Sequence, residues 1–379
     1  MPGRETVEFD HIIVGAGLSG LLMADALLKM HGDRPQRLLI LDPRPADDQP
    51  VTYAYWSTRP TLLDRWAIGS WTHLGIVDRR GQEKVSILTG ARYTAVSWNR
   101  ARAELLEKVS RDPRITLLQQ AADAVADGSD CARVRVGGTV FTGRWVYDSR
   151  PPVLPSGTAR RRAAHLVQAF HGIWVSAEDP VIDTRCATLL DFSTEEGPDL
   201  AFTYVLPVAA RSAMVMAVRM SPSAHLPDPA PAATRLLGSA AWAEVGRESG
   251  TTLLMPSSRR RQGRHILAIG RRGGRVRAST GYAATRILAD TEHVLHSLQK
   301  RGHPFAVPPD PWWQAILDRI WLRAMTREGA EFQEAFLSLF TRAPVDSVVR
   351  FLNGHAGPSD VAAVITALPP LPFLRASLA

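Results

Sequence analysis

An unbroken apolar run, Phe9 to Val14, leads directly into the glycine-rich turn Gly15 to Gly20 and then into apolar positions at helical spacing from Leu21 to Lys29. A second apolar run, Leu38 to Leu41, ends on Asp42. This predicts strand, glycine turn, helix, strand and acidic residue, the order of a dinucleotide-binding unit. Residues 51–99 are irregular and rich in Trp, Tyr and Thr, which suits strands and loops around an apolar cavity. Trp56, Trp66, Trp71 and Trp98 are the expected wall. Arg100 to Ser110 reads as an amphipathic helix stopped before Pro113, and Ile115 to Gln119 as a strand.

Val134 to Val146 alternates around Gly137-Gly138, the signal of a hairpin, and runs on to Asp148. Pro151 to Arg162 is rich in Pro, Gly, Ser and Arg and reads as a linker. His165–Val175, Ala187–Phe192, Ala201–Leu206 and Ala213–Met220 then predict a mostly antiparallel sheet, and Ala232 to Gly246 a helix. A late return to strand at His265–Gly270 is followed by a loop carrying Gly273-Gly274 and Ser279-Thr280-Gly281-Tyr282, then by a helix over Ala283–Leu298. The remainder reads as helices with prolyl breaks, their apolar faces carrying Trp312, Trp313, Trp321, Phe332, Phe336, Phe340 and Phe351.

The order of elements predicts an α/β chain with three discontinuous parts. Residues 1–50, 100–160 and 255–300 form a Rossmann-like cofactor domain, 51–99 and 161–254 an interleaved antiparallel substrate domain, and 301–379 a helical C-terminal region. With 379 residues and 45% hydrophobic positions the chain can bury a large core, which excludes disorder as its main state. Cys131 and Cys186 are far apart with no CxxC, so neither a disulfide framework nor a zinc site is suggested. Glu5, Glu8 and Asp10 stand where a signal peptide would carry a basic and then an apolar run, and no apolar stretch is long enough to span a bilayer. The expected location is the cytoplasm, peripheral to the inner face of the membrane.

A net charge of +8 admits nucleic acid, anionic membrane or anionic ligand. The excess lies in arginine clusters, Arg160–Arg162, Arg259–Arg264 and Arg271–Arg277, without interleaved stacking aromatics or any nucleic-acid-binding motif. Nucleic acid is therefore not expected. The Arg271–Arg277 loop is expected to face a cofactor pyrophosphate, and the remaining arginines a membrane surface.

Gly15 allows a tight turn, Gly17 the approach of a pyrophosphate and Gly20 close packing of helix on strand, while Asp42 suits a ribose hydroxyl. Leu18, Ser19, Pro43, Arg44 and Asp148 belong to the same expected site. The antiparallel interruption followed by a second glycine-rich loop suits FAD, whose flavin needs a distant segment to hold it. Gly273, Gly274, Ser279, Thr280, Gly281 and Tyr282 are that segment. No second GxG motif is present. Reduction of the flavin would have to come from NAD(P)H or a partner reductase, unless the chemistry is redox-neutral.

GAGLSG, the segment Val146–Pro152, the run Gln168–Val175, Ala187–Phe192, Tyr204-Val205-Leu206-Pro207, Ala278–Tyr282 and the closing Leu368–Phe373 together resemble the bacterial lycopene cyclases over nearly the whole chain. The resemblance implies a p-hydroxybenzoate-hydroxylase-like flavoprotein fold. It also implies a redox-neutral cyclisation assisted by reduced FAD, in which an acid protonates a polyene end and a base removes a proton after ring closure. One departure stands out: Met216 occupies the position of the family's proton-transferring glutamate, and a thioether cannot move a proton. Asp191 matches a family aspartate and is the expected remaining acid, with a hydrogen-bonded structural carboxylate as the alternative. Trp56, Tyr204 and Met216 are expected at a pocket for a small apolar substrate. These residues are compatible with a diverged cyclase, a flavin monooxygenase or oxidase of a natural-product intermediate, and a flavin- or lipid-binding protein without turnover.

Overall fold

The computed structural model describes residues 8–30, 35–44, 51–151, 165–194, 197–222, 225–255 and 261–377. Arg160–Arg162, Glu195, Glu196, Arg259, Arg260 and most of the expected linker fall outside them.

The first sheet runs β8 (Ile115–Leu118), β2 (Leu38–Leu41), β1 (Phe9–Val14), β11 (Thr139–Asp148), β10 (Ala132–Val136), β9 (Ala124–Asp127), with β17 (Ile266–Ala268) also paired to β11. β8, β2, β1, β11 and β17 are mutually parallel. Such strands are covered on both faces, which is why β1 and β2 are almost continuously apolar. Helices α1 (Leu18–Leu28), α2 (Trp98–Ser110) and α4 (Ala284–Arg301) share one core on this sheet. The hairpin between β10 and β11 turns on Gly137 and Gly138, both with positive φ (53° and 91°), as a two-residue loop of this kind requires.

Within the first sheet His11 is buried, its ring nitrogens 3.1 Å from the Tyr147 hydroxyl and 3.0 Å from Gln36 Oε1. Burial lowers its pKa from 6.5 to about 4, partly offset by the bond to Gln36. The folded state holds the ring neutral, so acid favours the unfolded chain. Stability is expected to fall by about 3 kcal/mol as pH drops from above 6.5 toward 4. Urea titrations across that range check this, and a His11→Gln protein should lack this part of the slope.

The second sheet runs β16 (Trp242–Leu254), β12 (Leu166–Ala177), β15 (Ser212–Ser221), β14 (Leu200–Ala209), β13 (Cys186–Asp191), β5 (His73–Val77), β6 (Glu83–Ile87). It is antiparallel except between β13 and β5. A three-stranded sheet, β3 (Thr52–Ser57), β7 (Arg92–Ser97) and β4 (Ala67–Trp71), stands beside it. The helix expected over Ala232–Gly246 is shorter: α3 spans Ala230–Leu237, stops at Gly238 with φ 57°, and the chain enters β16. As an exposed edge strand, β16 lacks an apolar alternation, and its charges at helical spacing mimic a helix.

The C-terminal region is helical: α5 (Trp312–Glu328), α6 (Gln333–Arg342), α7 (Val345–Asn353), α8 (Pro358–Ala367) and α9 (Pro370–Ser377). Trp321 is its centre, ringed by Phe332, Phe336, Phe351 and Phe373 at centroid distances of 5.2–6.3 Å. This cluster is continuous with one face of the second sheet, while α3 covers the other. Trp312, expected on a buried face, is exposed. Among the described residues no helix is long and apolar enough to cross a membrane.

Candidate functional site

Gly15 adopts φ 102°, and a Cβ there would meet Ser149 Oγ at 2.3 Å. A Cβ on Gly20 would lie 1.8 Å from the Gly15 carbonyl oxygen. Gly17 differs: its missing Cβ points into open space except for the Arg44 guanidinium at 3.6 Å. Gly17 is also the N-cap of α1, where no side chain caps the helix and no acid lies in the first turn. The result is a helix N-terminus with positive potential, bare backbone and an arginine beside it, a cradle suited to a pyrophosphate.

Asp42 closes β2 and holds the turn. It accepts the Ala16 N–H at 2.5 Å, and across Pro43 it accepts the backbone and guanidinium of Arg44 at 2.7–3.1 Å. Burial alone would raise its pKa, but the bonds from Arg44 and Ala16 outweigh this and hold it below the ordinary carboxylate range. Asp148 repeats the motif at the end of β11, clipping Arg150 at 2.8–3.1 Å and also meeting Arg272 at 2.9 Å. Between them, Ser149 donates to the carbonyls of Val14 and Gly15. Both acids thus shape the turn from below.

The second glycine loop packs against the first: a Cβ on Gly270 would strike Ser19 Oγ at 2.3 Å. Gly273 sits over Ala268, and Gly274 has φ 72°. Ser279–Tyr282 form a turn ahead of α4 rather than its first residues, because the N-cap is Ala283. The arginines of this loop largely face inward. Arg272 meets Asp148, Arg275 meets Asp290 and Asp310, and Arg277 is buried on Asp318 at 2.9 Å. Arg271, by contrast, stays exposed, beside Tyr53.

A cavity of about 390 Å³ opens between this loop, the second sheet and the C-terminal helices. Met216, Val218 and Met220 of β15, Phe202 and Tyr204 of β14, and Phe336 and Phe340 of α6 give it apolar walls, and Thr280, Gly281, Tyr282 and Arg271 form the loop side. Tyr93, Tyr204 and Tyr282 turn phenols toward one another. Burial first, then their neighbours, raise Tyr93 and Tyr204 well above the ordinary value, and burial pushes Tyr282 up to about 12. All three therefore stay neutral donors at physiological pH.

Of the expected pocket residues, Tyr204 and Met216 line this cavity. Trp56 stands fully buried behind it, 4.4 Å from the Tyr93 ring and 5.9 Å from that of Tyr282, and borders a separate cleft of about 690 Å³ between α1, α4 and residues 57–62. Trp66, Trp71 and Trp98 are core residues rather than cavity wall.

Asp191 is not brought to the cavity. β13 shifts register between Thr188 and Asp191, so Leu189 and Leu190 both line the cavity and Asp191 pairs with Thr203. Its carboxylate accepts from Ser193 N–H (2.9 Å) and Oγ (2.5 Å) and lies 3.6 Å from Arg235 of α3. A carboxylate that sequence reasoning missed lies nearer: Glu248 of β16, 2% exposed, bound by Thr52 N–H (2.6 Å), Thr52 hydroxyl (2.8 Å) and the Trp174 indole (3.0 Å). Among Glu248's neighbours in sequence only charge and glycine are visible, and placing it requires the pairing of β16 with β12.

Compared with known proteins, the chain matches the family model described as "Lycopene cyclase protein" over residues 10–378. No curated protein matches it significantly. Its fold is similar to that of Klebsiella pneumoniae HpxO, solved with FAD and uric acid (TM-score 0.62, 13% identity, 95% of this chain and 100% of that one). It is similar also to p-nitrophenol 4-monooxygenase PnpA from Pseudomonas putida DLL-E4 (TM-score 0.55, 14% identity, 98% and 99%). A third similar structure is a geranylgeranyl bacteriochlorophyll reductase-like protein from Thermoplasma acidophilum (TM-score 0.57, 11% identity, 97% and 98%). At these identities the likeness shows the hydroxylase-type flavoprotein fold.

Proposed function

Because the chain belongs to the lycopene cyclase protein family, we propose that it is an FAD-dependent enzyme that cyclises or rearranges an apolar isoprenoid or polyene-type substrate without net redox change. The observation that carries this reading is the apolar cavity walled by Met216, Val218, Met220 and Phe202 and closed on one side by the Thr280–Tyr282 turn. Apolar, polarisable walls and neutral phenols suit a substrate whose reacting end passes through a carbocation, because such walls disfavour water and the rings offer aromatic faces.

The bare N-terminus of α1 and Arg44 fit the pyrophosphate of FAD, with Asp42 and Asp148 fixing the turn and Gly273 to Tyr282 available to the flavin end. Bound FAD in its reduced form would supply electron density beside the reacting end. The chain's own residues would orient the apolar substrate and keep water away.

Incubation of reduced, FAD-loaded protein with a linear polyene in deuterated water tests the reading. The expected product is an isomer of the substrate that carries deuterium on the new ring, with no consumption of NAD(P)H or O2.

Met216 favours a second reading. Without a carboxylate at that position the same cavity suits a monooxygenase or oxidase, which needs no protein acid there and would draw electrons from NAD(P)H. Oxygenated product with stoichiometric NAD(P)H consumption would establish it and sink the first.

A further inference from the structure

Cross-strand pairing places four residues in one row: Tyr204 opposite Met216, Met216 opposite Gly172, and Gly172 opposite Glu248. Paired residues share a face, and the neighbouring rows confirm which one. Val218, Phe170 and Gly250 all line the cavity. Glu248 therefore stands on the cavity face, two strands from Met216, or about 10 Å at ordinary strand spacing. The residue between them is glycine. A Cβ there would meet the Met216 side chain at 2.7 Å, so the Met216 thioether lies over Gly172, in the row between Met216 and Glu248.

The three donors that hold Glu248 are neutral, and among the described residues no cation forms an ion pair with it. Its charge reaches the cavity wall, where Glu248 acts on the Tyr204 phenol, and Thr52, which binds both carboxylate oxygens, is itself part of the lining. The lining cation, Arg271, comes from the loop and lies beside Tyr53.

We propose that Glu248 supplies, from two strands away, the negative charge that the cavity lacks at position 216, and that the cavity takes apolar ligands whose end carries or develops positive charge. Glu248 is a positioning residue in this role. It reaches the cavity through Thr52 and sets the potential at the Met216 wall. The inference rests on this cavity being the substrate site, but its test needs no turnover.

The FAD-loaded protein is titrated by calorimetry with octyltrimethylammonium and with its neutral isostere 2,2-dimethyldecane. A unit charge at about 10 Å predicts that Glu248→Gln weakens the cation by roughly tenfold relative to the neutral ligand. Adding Met216→Glu to that variant should restore the ratio of the two affinities, because it returns a carboxylate to the same row. Trp174→Phe removes one donor and leaves the charge, so it should keep the ratio. A ratio of affinities unchanged by Glu248→Gln, or no restoration by Met216→Glu, would overturn the proposal. Should Glu248→Gln not fold, Trp174→Phe still decides, since loss of the ratio there marks Glu248 as a brace between β16 and β3. Failure of the cyclisation reading would appear as the absence of isomeric product, a separate result.

Discussion

A Gly20→Ala protein is expected to purify without flavin and to be destabilised by on the order of 3 kcal/mol. The added methyl would sit 1.8 Å from the Gly15 carbonyl oxygen and 3.2 Å from Ile13 Cγ2, and neither neighbour is a flexible side-chain end. To relieve the overlap, α1 must move away from β1. That movement carries the bare N–H groups of the helix N-terminus off the position fixed by the Asp42–Ala16 bond. Gly17→Ala provides the contrast. Its methyl meets only the Arg44 guanidinium at 3.6 Å, so the fold should be kept while flavin affinity drops, because the methyl fills the approach a pyrophosphate needs. Visible absorbance after gel filtration and a urea midpoint separate the two outcomes. A flavin-loaded Gly20→Ala protein of unchanged midpoint would show that the turn is not the cofactor cradle.

The glycine turn was legible because each of its constraints is local: φ at Gly15, clash at Gly20, apolar strands on either side. The Gly137-Gly138 hairpin was legible for the same reason. The placement of acids was not. One extra residue in β13 carries Asp191 from the cavity face to the face under α3, and a single-residue shift of that kind inverts every later side chain without leaving a mark in the composition. Glu248 was hidden for a related reason. It lies on an edge strand whose residues alternate poorly, and its partners Thr52 and Trp174 come from other parts of the chain. The arginine clusters suggested an outward partner, yet Arg261, Arg275 and Arg277 are met by Asp290, Asp310 and Asp318, carboxylates on later helices or in the loop between them. Net charge reports an excess, and cannot say which cations are already paired.

One of those pairs carries the largest expected stability effect. Arg277 is 2% exposed, its Nε 2.9 Å from Asp318 Oδ1 and 3.2 Å from Ser279 Oγ, its guanidinium over the Phe351 ring at 5.5 Å. Burial lowers the Arg277 pKa and raises that of Asp318, while each partner draws the other back toward its charged form. Asp318→Ala leaves the guanidinium buried beside Arg286 with its main counter-charge gone, a loss of about 3–5 kcal/mol. The consequence extends beyond stability. Arg277 N–H donates to the Tyr282 carbonyl, and its own carbonyl accepts from Thr280 and Gly281, so the same residue anchors the turn that closes the cavity. Flavin affinity and ligand binding should weaken together with the urea midpoint. Replacing both partners, Arg277→Met with Asp318→Leu, removes the buried charges at nearly constant volume and should recover most of the midpoint while the turn loses the side-chain bond from Arg277 Nε to Ser279 Oγ. Recovery of stability without recovery of ligand binding would separate the two roles. A midpoint in Asp318→Ala within about 1 kcal/mol of the unaltered protein would mean that water or backbone rearrangement solvates Arg277, and that the ion pair does not hold the loop.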